Sequence, residues 1–208
     1  MIAAVLNLFG DGKTFVLTKP ILLPVLALYY CFRCSGALDL ILISALLACF
    51  LGDVFLMLKG KRWFFVGGTA FLTAQTLLMI VFFRQINFSQ LPVPVVIMMA
   101  FLYCFVIIDV WIRISQNTSF LMRFLIIIYL SCNATMNLSA FFRMLEYPNI
   151  WSVISYVGAV LFFLSDSVLF LLKYETNRTR FYKSDFFVML AYIFGVLLIV
   201  FGLSVVGR

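Results

Sequence analysis

The sequence predicts an all-α integral membrane protein, with seven to eight transmembrane helices forming a single multi-pass domain over residues 1–208. Three observations carry that expectation. Of the 208 residues 65% are hydrophobic and only 11% charged, and the mean hydropathy is +1.17. A soluble domain of this length cannot hide so much apolar surface. The apolar residues also fall into runs near the length that crosses a hydrocarbon core, about 20 residues. Finally, the lysines and arginines stand singly or in short clusters at the ends of those runs. The formal charge of +7 therefore marks membrane topology, and no nucleic-acid partner is expected.

The spans are expected at 19–33, 38–58, 63–83, 91–112, 119–142, 150–172 and 185–206. The first is short and extends readily backwards through "TFVLT". Residues 2–9 are either the remnant of an eighth helix or an interfacial segment. "MIAAVLNLFGDGK" lacks a basic start before its apolar stretch, so no cleavable signal peptide is expected. The connections, such as "KGKR" and "RMLEYPN", are short and polar, which predicts antiparallel neighbours in a compact bundle. Eleven basic residues fall on one side (Lys13, Lys19, Lys59, Lys61, Arg62, Arg113, Arg123, Lys173, Arg178, Arg180 and Lys183), against Arg33, Arg84, Arg143 and Arg208 on the other. That bias is expected to place the first side in the cytosol, and with it the N-terminus provided residues 2–9 do not cross.

Whole classes of chemistry are excluded by composition. The chain has no histidine, so histidine metal sites, histidine bases and Ser-His-Asp triads are absent. Of five cysteines only Cys31 and Cys34 have a C-x-x-C spacing. Nothing nearby completes a metal site, and no cofactor is expected.

Two carboxylates stand where charge is most costly. "FLGDVFLML", residues 50–58, and "FLSDSVLFL", residues 163–171, share the pattern F-L-[GS]-D-x-x-L-x-L at an offset of 113. Asp53 and Asp166 each precede a basic helix end by six or seven residues, roughly 10 Å at 1.5 Å per residue. Their helices, second and sixth in order, run the same way, which suits a parallel internal repeat. An ionisable side chain within a span is a functional candidate because its burial is otherwise uncompensated. Asp109, a turn from the end of its segment, is read as structural. In "SCNATMN", Asn133 and Asn137 share a helix face at i, i+4 and suit interhelical hydrogen bonding.

These residues resemble the YhhN-like lysoplasmalogenase family. "GDVFLML" and "GAVLFFLSDSVLFLLK" are similar to its two signature segments, the second through Gly158, Ala159, Phe162, Ser165, Asp166 and Leu169. "KPILLP", Lys19 to Pro24, is similar to the Lys-Pro that opens an early helix of the family. Phe64, Gly67, Phe71 and Tyr192 match further family positions, so the likeness covers about residues 18 to 200. One departure stands out. Where the family has a histidine four residues after the Phe71 position, followed by a tyrosine, this chain has Gln75 and Leu78. Glutamine forms hydrogen bonds but cannot shuttle a proton near neutral pH.

The resemblance implies a multi-pass membrane hydrolase, metal-free, that cleaves the vinyl ether of a lysoplasmalogen. The products are a fatty aldehyde and glycerophosphocholine or glycerophosphoethanolamine. That chemistry needs a general acid, an anion near the oxocarbenium ion and a base for water. Glycosidases meet similar needs with two carboxylates in unlike environments. Asp53 and Asp166 are therefore the catalytic candidates. Lys19, Gln75, Arg123, Ser165 and Tyr192 are the substrate-binding candidates, with Lys19 and Arg123 for the lipid phosphate and Ser165 for a carboxylate. Expected partners are the lysophospholipid and the bilayer, with the site toward the cytosolic face. The expected location is the endoplasmic reticulum or another endomembrane in a eukaryote, or the inner or plasma membrane in a bacterium. The alternatives are a non-catalytic lipid-binding relative, which Gln75 favours, and a parallel-repeat transporter.

Overall fold

The computed structural model describes residues 12–33, 38–58, 60–86, 92–114, 118–174 and 184–204, with side chains from Leu22 onward except those at 61 and 184–186. Among the described residues seven helices follow one another: α1 (Gly12–Arg33), α2 (Leu40–Met57), α3 (Lys61–Phe83), α4 (Val93–Ile114), α5 (Phe120–Glu146), α6 (Ile150–Tyr174) and α7 (Ser184–Ser204). Six of them, α2 to α7, contain stretches long and apolar enough to cross a membrane. The chain is an integral membrane protein of the all-α class. Helix α1 does extend backwards, to Gly12, and α5 runs to Glu146, beyond the expected end at 142. The expected segment at 2–9 lies outside the described residues.

Helix starts follow from local chemistry. The Asp39 carboxylate accepts from the Ile41 N–H at 2.9 Å and caps α2. Ser119 caps α5 by accepting from the Met122 N–H. Such caps satisfy amide donors that the first turn leaves without partners. Gly60, with φ of 131°, makes the tight connection between α2 and α3, a conformation that glycine adopts without a steric penalty.

The chain divides into two compact units near Val81. In the first, α1 packs on α2, and α2 meets α3 through glycine. A Cβ at Gly52 would lie 2.7 Å from the Phe71 ring, and one at Gly67 would lie 2.9 Å from Leu56 and 3.2 Å from the Gly52 carbonyl oxygen. In the second, α4 packs on α5 and α6, α5 on α6, and α6 most extensively on α7. That last pairing is a backbone-to-backbone seam. A Cβ at Gly158 would lie 2.6 Å from the Gly195 carbonyl oxygen, and one at Gly195 would lie 2.9 Å from the Gly158 carbonyl oxygen. Small residues that admit such approach are how helices associate where lipid removes the hydrophobic drive between them.

The outer faces are apolar. Phe101, Phe105, Ile108 and Ile112 of α4 are exposed, as are Phe120, Leu121 and Phe124 of α5. Asp53, Gln75, Asn133, Asn137, Arg143 and Asp166 are buried. Apolar side chains outward and polar ones inward is the arrangement a hydrocarbon solvent selects. Asp109 is half-exposed and pairs with Arg113 at 2.9 Å, one turn on, in keeping with a structural role.

The seam predicts a sharp contrast. Gly158→Leu should lower the thermal stability of the detergent-solubilised protein by about 1–3 kcal/mol or more, the usual cost of overpacking. Gly68→Ala, where a Cβ would meet nothing within 4 Å, should leave the melting temperature in place. Comparable losses in both variants would disprove the backbone seam.

Candidate active site

Each unit carries one of the two expected aspartates. Asp53 lies on α2, four residues before Met57, and is 1% exposed. Its neighbour Gly52 lies under the Phe71 ring of α3. Gln75 is buried on α3 one turn beyond Phe71, so the two side chains share a helix face. The family-like positions Gly52, Gly67 and Phe71 thus meet at one helix contact, with Asp53 and Gln75 buried on the same helix pair.

Asp166 lies on α6 and is 6% exposed. Its Oδ2 accepts two hydrogen bonds from α5, from the Tyr129 hydroxyl and from Asn133 Nδ2, both at 2.8 Å. Asn133 Oδ1 in turn accepts from Asn137 Nδ2 at 3.1 Å, and Asn137 Nδ2 also donates to the Asn133 carbonyl at 3.0 Å. Asn137 Oδ1 accepts from the Tyr103 hydroxyl of α4 at 3.3 Å. The aromatic rings are held by Phe163 and Phe170, which bracket Asp166 on α6. Tyr103 meets Phe163 edge-on at 5.1 Å, and Tyr129 meets Phe170 nearly so at 5.3 Å. Three helices are joined through this one polar chain.

The remaining expected residues have distinct places. The Ser165 hydroxyl donates to the Val188 carbonyl of α7 at 2.8 Å, so it ties two helices together rather than binding a carboxylate. Tyr192 is buried on α7 with its ring 5.5 Å from Phe162. Arg123, in the first turn of α5, holds its guanidinium 5.2 Å from the Trp111 ring centre and 5.9 Å from that of Phe120. It precedes Tyr129 by six residues, roughly 9 Å along the helix. The side chain of Lys19 lies outside the described residues, although α1 contains that position.

Two residues were not anticipated as site elements. Tyr129 precedes Asn133 by four, so Tyr129, Asn133 and Asn137 form one face at i, i+4, i+8; that spacing was the signal available in the sequence. Arg143 was expected at a span end as a topology marker. Because α5 runs on to Glu146, Arg143 is instead fully buried. Its Nε donates to Gln85 Oε1 at 2.6 Å and its Nη1 to the Ser155 hydroxyl at 3.2 Å. Ser155 itself is one of the groups that a Cβ at Gly202 would strike, so the arginine is anchored beside the contact of α6 with α7.

Fold and buried polar groups together define a multi-pass helical membrane protein with, among the described residues, one buried aspartate in each of two helical units. The YhhN family profile matches residues 14–203, nearly the whole described chain. The protein belongs to the YhhN family, a family associated with hydrolase activity. Comparison with curated proteins and with solved structures gave no match.

Gln85→Ala should leave the buried Arg143 guanidinium one acceptor short, a loss of about 1–3 kcal/mol. Thermal melting in detergent reads it, and an unchanged midpoint would mean that the guanidinium is not confined as described.

Proposed function

We propose that the protein hydrolyses the vinyl-ether bond of lysoplasmalogens, releasing a fatty aldehyde and glycerophosphocholine or glycerophosphoethanolamine. The observation that carries this reading is the pair of aspartates, Asp53 and Asp166, each buried within a span, in a chain of the YhhN family. Vinyl-ether cleavage needs one carboxyl group to protonate the alkene carbon and one carboxylate to serve the oxocarbenium ion and the water. No metal is required. Arg123, and Lys19 on α1, are assigned to the lipid phosphate, Gln75 and Tyr192 to the substrate's polar end. The basic bias of the sequence favours a site toward the cytosolic face.

The second reading is a lipid-binding relative without turnover, and Gln75 in place of the family histidine favours it. Release of aldehyde separates the two. On the hydrolase reading purified protein frees aldehyde from a lysoplasmalogen, and Asp53→Asn and Asp166→Asn each lower kcat by about 10²-fold or more, the usual contribution of an acid–base group. Activity surviving either substitution at the wild-type rate would disprove the paired-carboxylate chemistry. Lysolipid bound without turnover by the wild-type protein would establish the second reading.

A further inference from the structure

We infer that Asp166 is the resident carboxylate anion of the site and takes the proton from the attacking water, with Tyr129 and Asn133 as positioning residues and Asn137 and Tyr103 fixing Asn133 in turn. The assignment of a base rests on the hydrolase reading; the ionisation stands on geometry within the second unit alone. It leaves Asp53 as the acid.

The polar chain has a direction. The Tyr103 hydroxyl donates to Asn137 Oδ1, Asn137 Nδ2 to Asn133 Oδ1, and Asn133 Nδ2 to Asp166 Oδ2. Neither amide can be turned over without loss. Reversing Asn133 would set its oxygen against the Asp166 oxygen and its amino group against that of Asn137. Reversing Asn137 would forfeit its donation to the Asn133 carbonyl as well. Every link therefore presents its positive end toward Asp166. Such chains polarise one another, and donors aimed at a carboxylate favour its charged form. The Tyr129 hydroxyl adds a second donor to the same oxygen. Of the hydroxyls beside Asp166 on its own helix, Ser165 is spent on the Val188 carbonyl and Ser167 on the Phe163 carbonyl. Tyr129 and Asn133, both on α5, therefore donate to the carboxylate where its own helix's neighbouring hydroxyls do not. An oxygen engaged by two short donor bonds is poorly suited to deliver a proton to carbon, and well suited to stay an anion.

The cycle then balances. The Asp53 carboxyl gives its proton to the terminal alkene carbon, and the oxygen lone pair forms the oxocarbenium ion. Water adds to the adjacent carbon and loses a proton to the Asp166 carboxylate, giving a hemiacetal. Asp53 then takes the hemiacetal hydroxyl proton as the carbonyl forms. The bond to the glycerol oxygen breaks, and that oxygen leaves with the proton held by Asp166. Aldehyde and alcohol are released, with Asp53 protonated and Asp166 ionised as at the start.

Infrared spectroscopy of the purified full-length protein tests the ionisation directly, through the carbonyl stretch of a buried protonated carboxyl group. The expected result is a band that Asp53→Asn abolishes and Asp166→Asn retains, with a second band appearing in Asn133→Leu and in Tyr129→Phe as Asp166 gains a proton. A band abolished by Asp166→Asn instead, or no new band in either α5 variant, would overturn the assignment. In the aldehyde assay Asn133→Leu and Tyr129→Phe should each lower kcat by about tenfold or more with KM little changed. Ser167→Ala, which alters only a hydroxyl bonded within α6, should keep both constants. Formate supplied to Asp166→Gly should restore part of the lost rate, and its failure to do so would remove Asp166 from the role of base. A wild-type protein that shows the expected bands yet releases no aldehyde would overturn hydrolysis while supporting the ionisation, so the two failures are separable.

Discussion

A carboxylate within an apolar helix has no water to answer it, and its donors must come from neighbouring helices. This constraint organises the second unit. Asp166 draws Tyr129 and Asn133 of α5 onto α6, and the need to orient Asn133 draws in Asn137 and, through it, Tyr103 of α4. Each added bond fixes the next group back, so α4, α5 and α6 are held in register by one line of hydrogen bonds. Hydrogen bonds between helices are modest in energy when taken singly, about 1 kcal/mol. Their importance here is directional. An amide reversed, or an asparagine made apolar, leaves a buried acceptor or donor unanswered, and that penalty is larger than the bond itself.

Glycine handles the complementary problem of approach. Where α6 meets α7, Gly158 and Gly195 bring two backbones together with no space for a Cβ, and Gly202 does the same beside Ser155 and Trp151. In the first unit Gly52 and Gly67 let α2 and α3 close over Phe71 and Leu56. In both units a signature glycine lies near the aspartate in sequence: Gly52 directly before Asp53, and Gly158 eight residues before Asp166. Close helix contact and a buried aspartate therefore occur together in each unit.

Much of this was legible in the sequence, for physical reasons. Span length and polar connections fixed the helices to within a few residues, because hydrocarbon thickness dictates both. Two ends depart most, the start of α1 at Gly12 and the end of α5 at Glu146, and the second is informative. The end of α5 was expected at 142, since Arg143 reads as an interfacial charge, yet the helix carries it to full burial against Gln85 and Ser155. A hydropathy pattern cannot see that neutral acceptors from two other segments will be waiting. Asp53 and Asp166 stood out because charge in a span is costly. Asn133 and Asn137 were legible as hydrogen-bonding residues, but their link to Asp166 was not, as nothing in one chain's letters says which helix a face meets. Tyr129 was hidden by its ordinariness among aromatic residues. Ser165, adjacent to Asp166, looked like a carboxylate partner, but it lies on the α7 side and serves Val188.

The glutamine at position 75 is best understood through the asymmetry between the two aspartates. Vinyl-ether hydrolysis requires two proton-transfer groups, one starting protonated and one ionised, and each is regenerated by the step the other begins. On the proposed assignment Asp166 is already ionised by donors that belong to its own unit, so no histidine is needed to create the base. Asp53 lies on the helix pair that buries Gln75 and Phe71, so the polar group that the chain adds to that pair at position 75 is an amide. A glutamine forms hydrogen bonds at any pH, because it does not titrate, whereas a histidine would take or give a proton as conditions changed. Turnover, if the aldehyde assay finds it, would then rest on the proton inventory of the two carboxylates alone, and its absence would trace to the proton carrier that Gln75 does not supply.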